Sequence, residues 1–254
     1  MTELREALAV KSEPPAQTHV RDLIERMKPE LVRALATPEA AERLMRMYLT
    51  AIRLNPLLLK CSDESLLAAL MLTAQVGLEP GPLGHVYLIP YGSECQWMLG
   101  YTGIVELAAR GGRTAGLAGE VVWDCDEYKH WRDEKGAHFR HEQGAEGERG
   151  DRVAAYCTWQ SHVGGRWTPG FLHVPVSRVV RARKASRAFQ KGSGPWVTDE
   201  DAMWRKTAVR AARPFLLLSA EAGYAVASDG STVVGITVEN ETAEAILVAE
   251  EAEE

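Results

Sequence analysis

The sequence predicts an α+β protein: a helical N-terminal part, then mostly antiparallel strands, then basic helices. Three observations predict it. Between Pro38 and Gly77 apolar residues recur at helical spacing, with Leu44, Met47, Tyr48 and Ala51 on one face. At Gly84 the helical period gives way to alternation. From Leu117 to Val174 short alternating segments follow one another, separated by polar and glycine-containing stretches.

The elements follow in order. Residues 1–18 read as a flexible arm, with Pro14-Pro15 as a stiff break. A short helix is expected from His19 to Lys28, and a second from Pro38 to Leu54. A third begins after Ser62, where Asp63 and Glu64 favour a helix N-terminus. It runs to Gly77 and is apolar on most sides, so it should be buried. Residues 84–91 and 95–101 alternate across the turn Gly92-Ser93-Glu94 and read as a β-hairpin, with Pro90 at an edge or bulge. A helix from Thr102 or Gly103 to Arg110 closes on Gly111-Gly112. Candidate strands cover 117–124, 128–131, 138–141, 152–162 and 167–174, with Gly164-Gly165 as a tight turn. A basic helix is expected over 176–190. Another starts at Thr198, where Asp199, Glu200 and Asp201 favour an N-terminus, and ends or kinks at Pro214. The chain thus divides into an arm (1–18), a core (19–235; helical 19–77, mixed 78–235) and a tail (236–254). The tail has seven acids and no base from Glu239 onward and reads as disordered.

Composition narrows the class. Hydrophobic content of 46% and charged content of 25% are those of a globular chain. No apolar run reaches the roughly 18 residues of a spanning helix. The N-terminus carries acids and lacks a signal peptide's apolar centre, so a cytoplasmic location is expected. Cys61, Cys95, Cys125 and Cys157 form no CxxC pair, which argues against a zinc site or a disulfide framework. They read as reduced, mostly buried thiols.

Charge is unevenly placed. The chain is −6 overall, yet residues 178–213 hold ten bases and three acids, a net of +7. Such an island points to a polyanion bound at one place, against the alternative of a solvated face. On the helix from Thr198, Lys206, Arg210 and Arg213 stand at i, i+4, i+7 and form one stripe, with Arg205 beside it. Arg178, Arg181, Arg183, Lys184 and Arg187 spread over more than one face of the preceding helix, and Lys191 follows in the loop. Binding a single strand also needs flat groups for bases. Trp196 and Trp204 flank the basic helix, and Tyr87, Tyr91, Trp97 and Tyr101 alternate along the hairpin. Each ring has a core role as its competing reading. Gly103 opens a helix whose N-terminus suits a phosphate, with cap chemistry as the equal alternative.

Other chemistries are weaker. Gly-Lys occurs nowhere, so there is no P-loop and no ATPase reading. A metal-dependent nuclease would rest on Asp124, Asp126 and Glu127 holding Mg²⁺; a polar strand end competes with it. His138 and His141 lack a third ligand and read as surface or sheet residues. No helix-turn-helix or zinc finger is evident, and the scattered bases suit backbone tracking better than base readout.

Four pieces stand in a telling order. They are Thr73-Ala74-Gln75-Val76-Gly77-Leu78-Glu79-Pro80; Val86-Tyr87-Leu88-Ile89-Pro90-Tyr91; Leu99-Gly100-Tyr101-Thr102-Gly103-Ile104-Val105-Glu106-Leu107-Ala108 with Arg110-Gly111-Gly112; and Pro195-Trp196-Val197-Thr198-Asp199 with Met203, Lys206-Thr207 and Arg210. Across about residues 19 to 225 this order resembles the RecT/Redβ family of phage single-strand annealing proteins, nearest its RecT branch. The resemblance implies an ATP-independent recombinase without covalent catalysis, acting in phage-type homologous recombination and DNA repair. It implies binding to single-stranded DNA and annealed duplex, and self-association into rings or helical filaments. It implies a partner 5′→3′ exonuclease and a host single-strand-binding protein, the cytoplasm of a bacterial host, and no required cofactor, with Mg²⁺ assisting annealing. For the fold it implies a curved, mostly antiparallel sheet packed against a long helix.

Overall fold

A computed structural model describes residues 15–145 and 149–229, and the backbone of two short strands at 232–234 and 237–239. Most of the expected arm and acidic tail lie outside the described residues. The described chain divides into two compact units, one ending at Met98 and resuming at Ser228, the other Leu99–Ala227.

The first unit is built on helices α1 (Pro15–Arg26), α2 (Lys28–Leu35), α3 (Pro38–Leu54) and α4 (Asp63–Gln75). The first helix begins at Pro15, four residues before the expected start, and buries Val20 and Ile24. In α3 the buried face is Ala41, Leu44, Met45, Tyr48 and Ile52. It is rotated slightly from the predicted stripe, so Met47 and Ala51 lie at its margin. Ser62 caps α4 by accepting the Ser65 amide at 3.3 Å. As expected, α4 is buried along most of its length. Its few polar side chains tie it to the hairpin formed by β1 (Val86–Tyr91) and β2 (Glu94–Leu99). Ser65 Oγ accepts the Cys95 amide at 2.9 Å, and Thr73 Oγ1 accepts the Trp97 indole N–H at 3.0 Å. Trp97 is wholly buried, so it is a packing residue and not a base platform.

The second unit opens with α5 (Tyr101–Arg110) and contains β3 (Thr114–Trp123), β4 (Glu127–Asp133), β5 (Gly136–Glu142), β6 (Arg152–Val163) and β7 (Arg166–Pro175). Every expected strand is present. Gly164 and Gly165 have φ of +58° and +77°, the conformation a two-residue hairpin turn needs. The helices that follow are α6 (Val176–Ala185), α7 (Arg187–Gln190), α8 (Pro195–Thr198), α9 (Glu200–Ala212) and α10 (Ala220–Ala227). The predicted basic helix is therefore broken, at Ser186, whose hydroxyl accepts the Phe189 amide. The next helix takes Asp199 and not Thr198 as its cap, accepting the Ala202 amide at 3.1 Å.

The expected single curved sheet is corrected. The strands form separate antiparallel sheets: β1-β2, β3-β6-β7, β4-β5, and a last pair, β8 (Thr232–Val234) with β9 (Thr237–Glu239). None is curved round or closed. The reason lies in what each strand pairs with. β1-β2 belongs to the first unit and is bonded to α4. The β4-β5 ribbon meets the three-stranded sheet through stacked rings: Phe139 lies 4.5 Å from Phe171, and His130 lies 4.0 Å from His173. Ring stacking replaces a hydrogen-bonded ladder there. The helix on the three-stranded sheet is α9, which buries Trp204, Ala208, Val209, Ala211 and Ala212. It comes so close that a Cβ on Gly119 of β3 would sit 2.6 Å from the Arg205 carbonyl oxygen.

Candidate nucleic-acid interface

The basic segment resolves into two groups. In α6 the inward face carries Val179, which is buried, and Arg183 four residues on. The outward face carries Arg178, Arg181 and Lys184, all exposed; Arg187 on α7 and Lys191 after it are also exposed. Successive spacings of three residues from 178 to 184 keep these cations on one side of the helix.

The inner group is committed to the protein itself. The Arg183 guanidinium pairs with Glu200 at 3.0 Å and lies over the Phe189 ring at 5.3 Å. Arg152 pairs with Glu200 at 3.3 Å and Asp201 at 2.6 Å, and stacks on Trp123 at 4.6 Å. Two of the three acids expected to favour the helix start thus also neutralise two arginines. Trp204 Nε1 donates to the same Glu200 at 3.2 Å. Arg205 faces Glu120 at 3.9 Å. At the other end of α9, about 15 Å along the axis at 1.5 Å per residue, Arg210 donates to the Leu99 carbonyl at 3.3 Å. Leu99 directly precedes the Gly100 cap of α5, so Arg210 lies near Tyr101 and Gly103. Lys206, Arg210 and Arg213 are half-buried, as is Tyr101; Gly103 is buried within α5. The predicted stripe therefore sits partly against the protein, while the less ordered half of the segment is the more exposed.

The carboxylate cluster weighed as a nuclease centre has another task. Asp126 accepts the Trp123 and Gly144 amides, each at 2.8 Å, and pairs with His141 at 2.9 Å. The two side chains are only 3% and 4% exposed. Burial alone would raise the Asp126 carboxyl, but these hydrogen bonds outweigh it and hold it below the usual carboxylate range. Glu127 faces Lys129 at 3.5 Å. Among the described residues no group of three or more His, Cys, Asp or Glu could hold a metal ion. The nuclease reading is withdrawn. Of the surface and sheet readings His141 takes the second: it lies in β5, and its other nitrogen bonds Tyr156 at 3.1 Å.

One set of residues was missed from sequence. Rings from four strands gather between the ribbon and the sheet: Tyr128, His130, Phe139, His141, Tyr156, Phe171 and His173. Burial pushes the Tyr156 phenol up to about 12, so it stays protonated and serves as a hydrogen-bond partner. The signal was the recurrence of aromatic or His residues at every second position in β4, β5 and β7. Only the register of these strands shows that they share a face. The cysteines match expectation: Cys61, Cys95 and Cys157 are buried and unpaired, with Cys125 exposed.

Comparison with known proteins is informative. A family model described as the RecT family matches residues 42–246. The chain is 34% identical over 214 residues to Protein RecT of Escherichia coli (strain K12), covering 80% of this chain and 76% of that one. It is 26% identical over 190 residues to Uncharacterized protein YqaK of Bacillus subtilis (strain 168), covering 73% of this chain and 63% of that one.

Proposed function

The chain belongs to the RecT family of phage single-stranded-DNA annealing proteins, and from that premise we propose how its own residues do the work. The protein is an ATP-independent recombinase, an annealing protein and not a classical enzyme. It binds single-stranded and duplex DNA and self-associates. The observation that carries our reading is the outer face of α6 and α7: Arg178, Arg181, Lys184, Arg187 and Lys191, all exposed. These cations neutralise the backbone of a bound strand. Removing phosphate repulsion lets a second strand approach, and base pairing drives annealing. Arg183 and Arg205 hold α6 and α9 in place through their acids. Lys206, Arg210 and Arg213, with Tyr101 and Gly103, form a second contact near the start of α5.

Salt dependence tests this. The five outer cations, at about 0.7 for each phosphate, contribute about −3.5 to the slope of log K against log salt with a single-stranded oligonucleotide, and the second contact steepens it further. A flat slope would remove the phosphate-tracking reading.

Self-association needs apolar surface. The first unit presents a groove of about 730 Å³ whose lining includes Met47, Leu54, Pro82, Tyr87 and Ile89, with Arg43 and Arg46 among its walls. Leu54, within this lining, is 82% exposed, an apolar side chain that burial against another chain would stabilise. We assign this groove to a second copy of the protein. Leu54→Asp is expected to shift sedimentation toward the monomer at unchanged thermal stability; unaltered assembly would remove the assignment. We further place the protein in the cytoplasm of a bacterial host, beside a 5′→3′ exonuclease and a host single-strand-binding protein. This rests on family membership, and among the described residues no helix is long and apolar enough to cross a membrane.

A further inference from the structure

A cleft of about 720 Å³ runs along β7 in the second unit, lined by His130, Trp131, Arg132, Trp159, Phe171 and Phe215 among others. Its walls are flat. His130 and His173 stack at 4.0 Å with 17° between planes, Phe171 stacks on Phe139, and Trp159 and Phe215 lie 6.3 Å apart at 19°. Trp131 and Phe215 are 51% and 56% exposed, so ring surface faces outward as well. Gly170 keeps one wall thin: a Cβ there would overlap the Trp159 indole at 2.2 Å.

The polar groups in the cleft are few, and none is an anion. Arg132 supplies a cation. His173 supplies a neutral imidazole, because burial first and the neighbouring His130 second hold its pKa below the ordinary value. β7 is an edge strand of its sheet, so alternate backbone groups point away from the ladder. Among the residues lining the cleft there is no carboxylate. Flat apolar walls, neutral polar edges and one cation suit a planar heterocycle carried on an anionic chain better than an aliphatic or cationic ligand.

We propose that this cleft takes an unstacked nucleobase of the bound strand, giving each subunit a base-dependent contact in addition to its phosphate contacts. The proposal rests on the DNA-binding reading above and adds a role for bases to it. The outer cations of α6 and α7 sense only charge. The cleft senses whether a ring is present, and stacking is indifferent to which base supplies it.

The test compares oligothymidylate with an abasic strand of equal phosphate number, by fluorescence anisotropy over a range of salt, with the full chain. The unaltered protein should bind oligothymidylate about tenfold more tightly, the scale of one stacked base. Trp131→Ala with Phe215→Ala should bind both strands alike and keep the unaltered salt slope. Trp131→Phe should retain the preference. If the unaltered protein does not distinguish the two strands, or if the double variant still does, the cleft is not a base site, while phosphate binding stands. A flat salt slope in the unaltered protein instead overturns the phosphate-binding reading. Both altered residues are half-exposed, and a thermal melt checks that the variants fold. Should the double variant fail to fold, quenching of tryptophan fluorescence by oligothymidylate but not by the abasic strand, in single Phe215→Ala, decides the matter in the same way.

Discussion

The two halves of the basic segment hold the same residue types and meet different fates. On α6 and α7 the cations at 178, 181, 184, 187 and 191 are exposed. On α9 and along the inner face of α6 they are half-buried, and Arg183 and Arg205 face carboxylates. A count of charges is therefore not a count of solvent-exposed charges. A buried or half-buried arginine must be paired, and a pair presents little net field to a distant phosphate. The acids of the segment sit beside the inner half, so most of its net charge of +7 falls to the outer half.

The comparison is open to direct attack. The largest effect is expected from reversing the outer face with Arg178→Glu, Arg181→Glu and Lys184→Glu. Affinity for single-stranded DNA should fall by about a hundredfold or more, and the salt slope should shrink by about 2. If affinity survives, the inner half is the main contact. Next is Gly119→Val, which drives a side chain into the Arg205 carbonyl that passes over it. Overpacking there should cost about 2 kcal/mol in a denaturant titration. A smaller loss would mean that α9 can lift from the sheet. The smallest effect is expected from Glu200→Gln, which removes the acid shared by Arg152, Arg183 and Trp204. Stability should drop by about 1 kcal/mol, while DNA affinity should hold or rise as two arginines lose a partner. A fall in affinity would show that the inner pairs shape the binding face.

Much of the architecture was legible in the chain. Alternation located β1 and β2, strand-like segments marked β3 to β7, and the Gly-Gly turn between β6 and β7 has the positive φ that such a turn needs at both positions. Apolar periodicity located α3 and α4. The break at Ser186 was not legible, because the helical pattern continues on both sides. It shows only once the hydroxyl is seen accepting the Phe189 amide. Asp126 left a metal site open beside the polar strand end because sequence shows the carboxylate and not the Trp123, Gly144 and His141 donors that engage it. The ring cluster escaped notice because its members come from four strands, separated by up to 45 residues in the Tyr128–His173 pair.

By itself the sequence determined the local terms: which segments alternate and which turn at 3.6 residues, where helices cap, where positive charge concentrates, and which motif order ties the chain to its family. These depend on neighbours a few residues apart, so they are written in spacing. Tertiary structure alone settles which cations remain exposed, how the strands divide among separate sheets, and that rings from β4, β6 and β7, with Phe215, wall a single cleft. Each of those depends on which distant group arrives within a few ångströms. Burial and pairing are properties of that arrival, and no spacing along the chain encodes them.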